Sequence, residues 1–79
     1  MRIDKFLKVS RVIKRRSLAN EACETGRVTI NDKVVKPGAI VKEGDVVSIR
    51  FGNSTTTFRV DTVSEHVSKD GAKEMYTII

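Results

Sequence analysis

This chain has little with which to staple itself. Its 79 residues include one cysteine (Cys23), one histidine (His66), one proline and no tryptophan. A lone cysteine cannot form an internal disulfide, and one Cys with one His falls short of the ligand set of a structural zinc site. The fold is therefore expected to rest on packing alone, with neither metal nor cofactor. No apolar run approaches the roughly 20 residues that span a bilayer. The first sixteen residues, MRIDKFLKVSRVIKRR, carry charge where a secretory signal needs its apolar stretch. These absences point to a reducing cytoplasm and to no membrane partner. The five glycines, Gly26, Gly38, Gly44, Gly52 and Gly71, stand singly, so no glycine-rich phosphate loop is present. His66 lies in the polar stretch Ser64 to Ser68, expected to be a solvated loop. Cys23 falls on the apolar side of a predicted helix, where a core thiol is expected. With no nucleophile and base held together, no catalytic residue is assigned, and the chain reads as a non-enzyme.

Independent cores are rarely smaller than about 50 residues, so residues 1–79 are expected to form a single domain. With 39% hydrophobic and 32% charged residues the chain reads as globular. Its net charge of +5 is unevenly spread. Residues 1–27 hold eight basic side chains against three acidic ones, whereas residues 28–79 hold seven of each. The whole excess thus belongs to the first third of the chain, as expected of a localised face for a polyanion.

From Ile3 to Ile13 the residues Ile3, Phe6, Leu7, Ser10 and Ile13 recur at spacings of three and four, which predicts a first helix with Lys5, Lys8, Arg11 and Arg15 on another arc. Val9 and Val12 fall off the apolar arc, so either the helix has ended or they touch a second surface. A second helix is predicted over Ser17 to Thr25, with Gly26 as its stop. The cluster Lys14-Arg15-Arg16 then lies at a helix start, where unpaired N–H groups already favour an anion. After Gly26 the period becomes two. Val28 and Ile30 alternate, Asn31-Asp32 is a turn signal, and Val34-Val35 runs on to Pro37-Gly38. Glu43-Gly44-Asp45 turns again into a strand with Val47, Ile49 and Phe51. Gly52-Asn53 ends it, Phe58 and Val60 carry another strand, Asp70-Gly71 turns, and Met75 to Ile79 closes the chain. The predicted class is α+β: two N-terminal helices packed on a small, mostly antiparallel sheet of four to five strands. Phe6, Phe51, Phe58 and Tyr76 all fall at core positions. No aromatic is then left to stack on bases, and recognition through phosphates and helical shape is expected.

The string Arg2-Ile3-Asp4-Lys5-Phe6-Leu7, then Arg16-Ser17-x-Ala19, Gly26-Arg27-Val28-x-Ile30-Asn31-x-Lys33 and Lys42-x-Gly44-Asp45 resembles the RNA-binding domain named after small-subunit ribosomal protein S4, most strongly over residues 1–51. That resemblance implies two helices on a curved sheet, the alpha-L motif, binding structured RNA with the helical face. It makes Arg2 and Arg16 the signature arginines. Lys5, Lys8, Arg11, Lys14, Arg15 and Arg27 would be supporting phosphate contacts. Two positions depart from the family pattern: Arg15 stands where a capping Ser or Thr is frequent, and Asp32 where the turn usually has Gly. Arg2 is expected to matter less than Arg16, being near a terminus that could fray.

The chain is similar to the stand-alone members of that family, related to the heat-shock protein of fifteen kilodaltons, and no catalytic body is expected beside the domain. The resemblance implies large-subunit rRNA and peptidyl-tRNA as partners on an obstructed large subunit, an RqcH-like factor that adds alanine tails to stalled chains, and a monomer off the ribosome. An rRNA-binding assembly or recycling factor and a basic protein-interaction module remain the alternatives.

Overall fold

The computed structural model describes residues 1–79. Helix α1 spans Ile3–Val9 and α2 spans Arg16–Glu24. Strands β1 (Val28–Ile30), β2 (Lys33–Val34), β3 (Val46–Phe51) and β4 (Ser54–Val60) follow. A short helix α3 (Lys69–Ala72) precedes β5 (Tyr76–Ile78). The five strands form one antiparallel sheet in the order β2-β1-β3-β4-β5. The α+β architecture is the one its periodicities predict.

The first helix is shorter than its apolar spacing suggested. It stops at Val9 because Arg11 takes a left-handed backbone, φ 63°, and turns its N–H onto the Lys8 carbonyl. Val12 and Ile13 then come back onto the core from the connecting turn, and Val9 packs there too. The end of α2 follows the glycine rule: Gly26 at φ 75° donates to Cys23 and Arg27 donates to Ala22, the paired bonds of a Schellman motif. Asn31 and Asp32, at φ 50° and 69°, make the tight β1–β2 turn without glycine. Asn31 is tied down further, its Oδ1 accepting from Val46 N at 3.0 Å and its Nδ2 donating to Asp45 at 3.1 Å. Asp70-Gly71, expected as a turn between strands, lies inside α3, where the Ser68 hydroxyl caps Gly71 N at 3.2 Å.

Ile3, Phe6 and Leu7 of α1 and Ala19, Ala22 and Cys23 of α2 bury against Val28, Val47, Ile49, Phe58 and Val60 of the sheet. Phe6 stacks on Phe58 with centroids 6.2 Å apart, and Phe58 meets Tyr76 at 5.2 Å. Such pairs contribute roughly 0.5–1.5 kcal/mol each beyond their buried area. One aromatic ladder therefore couples α1, β4 and β5. Phe51 is the exception to the predicted core. It continues the inward phase of Val47 and Ile49 but is 42% exposed, because it lies at the tip of the β3–β4 hairpin.

The N-terminus is held rather than frayed. Residues 37–41 run beside it, with Ile3 N on the Ala39 carbonyl at 2.7 Å, Val41 N on the Met1 carbonyl at 2.9 Å, and a bridge between Arg2 and Ile40. Arg2 thereby enters α1 from a fixed, extended backbone.

Candidate nucleic-acid interface

The two signature arginines come from different elements, Arg2 from the residue before α1 and Arg16 from the first residue of α2. The structure brings them to one carboxylate. Arg2 Nη2 lies 3.2 Å from Asp4 Oδ2 and Arg16 Nη2 lies 3.5 Å from Asp4 Oδ1. Asp4 Oδ1 also accepts the Lys5 backbone N–H at 2.7 Å. The Asp4 side chain is 3% exposed while the two arginines are 50% and 49% exposed. A buried anion thus holds two half-exposed guanidiniums by one nitrogen each, and a guanidinium has five N–H donors in a planar fork. Asp4 lies in the first turn of α1, where a carboxylate also meets the positive end of the helix.

The other basic residues surround this pair unequally. Lys14, Arg15 and Arg16 are consecutive and exposed at the entry to α2. Arg15 stands at the N-cap of α2 but, having only donors, leaves the first N–H groups of that helix uncapped. Lys8 is exposed on α1, whereas Arg11 and Arg15, expected on the same helical arc, lie beyond the end of that helix. Arg11 lines an open cleft of about 440 Å³ together with Lys8, Val9, Glu65, His66 and Val67. Lys5 is taken up by Glu65, with Nζ to Oε1 at 2.7 Å, and this bond holds the Glu65 carboxyl below its usual range. Arg27 is half-buried beyond the end of α2, its Nε donating to Thr25 Oγ1 at 2.9 Å. Position by position, then, the face comprises the Arg2–Asp4–Arg16 clamp, the exposed Lys8 and Lys14–Arg15, the loop-bound Lys5, and the flanking Arg11 and Arg27.

Two features escaped the residue pattern. Asp4 has no charge signal of its own in a basic segment, although an acid two residues after one arginine and at a helix start is the place for such a brace. Glu65 is sixty residues from Lys5, and only the folded chain shows the contact. His66 is exposed beside that cleft, and Cys23 is buried with its thiol pushed up to about 11 by desolvation, then by the neighbouring charges of Asp4 and Glu24. No three His, Cys, Asp or Glu side chains gather as a metal site, and no helix is long and apolar enough to cross a membrane.

The chain matches the family described as S4 domain over residues 1–47. It is 54% identical over 78 residues to the RQC P-site tRNA stabilizing factor of Halalkalibacterium halodurans, covering 99% of this chain and 89% of that protein. It is 51% identical over 79 residues to the protein of the same name from Listeria monocytogenes, covering 100% and 86%. Among solved structures, the trimeric heat shock protein 15 of Vibrio cholerae superposes with a TM-score of 0.91 at 30% identity, covering 100% of this chain and 81% of that one.

Proposed function

From the premise that this chain belongs to the S4 domain family, we propose that it is a non-catalytic RNA-binding factor of ribosome-associated quality control, holding the P-site tRNA on an obstructed large ribosomal subunit. The observation that carries this reading is the Asp4-braced pair Arg2 and Arg16: two forks held at a set spacing on an otherwise cationic face. Charge-assisted hydrogen bonds of this kind suit phosphate oxygens of folded RNA. The names of the relatives supply the particular RNA, a tRNA in the P site.

The protein acts by positioning. Arg2 and Arg16 grip the RNA backbone, Lys8, Lys14, Arg15, Arg11 and Arg27 add charge around them, and the sheet is the rigid base. Large-subunit rRNA takes part of this face and the tRNA another, so that each contact raises the local concentration for the other. A subunit with its peptidyl-tRNA held in this way is the substrate on which an RqcH-like factor adds alanine to the stalled chain. The protein does this in the cytoplasm, as one copy per subunit and a monomer when free.

Crosslinking the protein to RNA in cells and sequencing the attached fragments tests this reading. Fragments from both large-subunit rRNA and tRNA are expected. Fragments from rRNA alone would replace it with an assembly factor, and absence of RNA would replace it with a protein-interaction module.

A further inference from the structure

The cleft of about 440 Å³ at the end of α1 has two walls of different origin. Lys8, Val9 and Arg11 form one, from the last turn of α1 and the turn that follows it. Glu65, His66 and Val67 form the other, from the segment before α3, which lies beyond the residues of the S4 match. This second wall is anchored. Thr62 N donates to the Met75 carbonyl at 3.2 Å, and Val63 and Val67 pack against the core. The cleft is a gap between two held surfaces.

Its chemistry is one-sided. Lys8 and Arg11 are exposed and neither takes part in an ion pair. The His66 ring makes no hydrogen bond in the chain, only its carbonyl accepting one, from Ser64. Glu65, the one carboxylate of the lining, is already taken by Lys5 at 2.7 Å. The end of α1 would oppose an anion through its bare carbonyls, but those of Phe6, Leu7 and Lys8 accept from Ser10, Ile13 and Arg11. An ammonium, a guanidinium fork and an imidazole, which donates an N–H in either protonation state, thus line one opening with no acceptor of their own. They are the donor set for an oxyanion.

The neighbouring surface says which oxyanion. Lys8 follows Asp4 by four residues on α1, so it stands on the same helix face, one turn beyond the carboxylate that holds Arg2 and Arg16. A polynucleotide backbone carries a negative charge at every residue, and a strand lying on that clamp and running along α1 meets the cleft next.

We propose that the cleft is a second phosphate subsite for the bound RNA, in which Lys8, Arg11 and His66 hold one backbone phosphate. This rests on the RNA-binding reading above and deepens it: His66 becomes an RNA-contacting residue, and the segment before α3 joins a face that the first third of the chain does not complete. Both rRNA and tRNA carry such a phosphate, and the crosslink below tells them apart.

The test measures affinity for purified large ribosomal subunits carrying peptidyl-tRNA, at one fixed salt concentration, for wild type, His66→Ala and Arg11→Asn. Asparagine is chosen because it tolerates the left-handed backbone of Arg11, so the turn after α1 is kept. Both side chains are exposed, and neither substitution should unfold the domain. His66→Ala is expected to weaken binding severalfold and Arg11→Asn about tenfold, with His66→Lys close to wild type. The double variant should lose less than the product of the two factors, because both residues touch one phosphate. In parallel, p-benzoylphenylalanine at position 66 is irradiated on the same subunits, and a crosslink to one nucleotide is expected, its position in rRNA or in tRNA naming the source. Wild-type affinity in both single variants, a double variant that loses the full product, or a crosslink to protein alone overturns the subsite and leaves the RNA reading standing. Failure of the wild-type protein to bind subunits removes both.

Discussion

Asp4 and Arg16 sit on different helices, and the 3.5 Å between the Asp4 carboxylate and the Arg16 guanidinium sets where that guanidinium points. The same carboxylate holds Arg2 at 3.2 Å. Removing its charge should therefore act on both arginines at once. We expect Asp4→Asn to weaken binding to large subunits by at least as much as Arg16→Ala, each by roughly 1.5–3 kcal/mol, as for a charge-assisted hydrogen bond. The two variants should part in stability. Arg16 is half-exposed and its loss should cost about 1 kcal/mol or less. Asp4 is buried, and its replacement should cost about 1–3 kcal/mol in urea denaturation. Equal stability effects with unequal binding effects would contradict the bracing role.

Which parts of this were legible beforehand follows from the range of the interactions. The helix and strand order, the Asn31-Asp32 turn and the Gly26 stop depend on residues within a few positions of one another, and period and turn chemistry report them. Arg11 is local too, but an arginine in a left-handed backbone carries no compositional mark, so α1 read too long. Phe51 has the correct phase for the core, yet whether a strand tip is covered depends on where a distant helix ends. The clamp at Asp4 and the Lys5–Glu65 contact are long-range pairings between α1 and, respectively, α2 and the segment before α3. The basic segment announced the face, and only the fold shows which of its charges are braced, paired or free to approach a ligand.

The unequal disposition of the basic residues predicts their salt behaviour. Replacing Lys8 and Lys14 together by Gln should reduce the slope of log affinity against log salt by about 0.7–0.9 for each phosphate left without its cation. Replacing Lys33 and Lys73, which lie outside the face, should leave the slope unchanged. Lys5 should have a smaller effect than Lys8, because Glu65 already holds its ammonium. Fluorescence-anisotropy titrations at several salt concentrations measure all three.

Glu65 offers a handle on that pairing. Its carboxyl is lowered chiefly by the hydrogen bond from Lys5, and then by the Lys5 charge. A depressed folded value means that the pairing stabilises the protein above the ordinary Glu value of 4.5 and that this stabilisation disappears as pH falls through the folded value. Asp61, lowered by hydrogen bonds from Thr77 and Arg59, behaves in the same sense and ties β4 to β5. Stability should fall on acidification below about 4.5, and Glu65→Gln should make that fall shallower. The same substitution should tighten RNA binding severalfold at neutral pH by releasing Lys5 from its partner. Urea midpoints across the acidic range and an RNA titration of Glu65→Gln check the two halves.

Cys23 should be silent in the folded protein. Its thiol is buried and shifted up from 9.0 to about 11. The folded state therefore keeps its proton where the unfolded chain would lose it, so this group's contribution to stability is present below 9.0 and lost as pH rises towards about 11. At neutral pH a thiol-specific reagent should label native protein only at the rate of unfolding, and denatured protein at once. Rapid labelling of native protein would contradict the packing between α2 and the sheet.

The most direct measurement compares the affinity of the purified protein for large subunits with and without peptidyl-tRNA at one fixed salt concentration, since electrostatic affinities shift steeply with salt. If the face contacts rRNA and tRNA together, obstructed subunits should bind at least about tenfold more tightly, a coupling of roughly 1.4 kcal/mol. That preference should disappear in the Arg2→Ala, Arg16→Ala double variant, and deleting the protein should shorten the alanine tails of stalled chains. Equal affinity for both kinds of subunit, with normal tails in the deletion strain, would contradict the account.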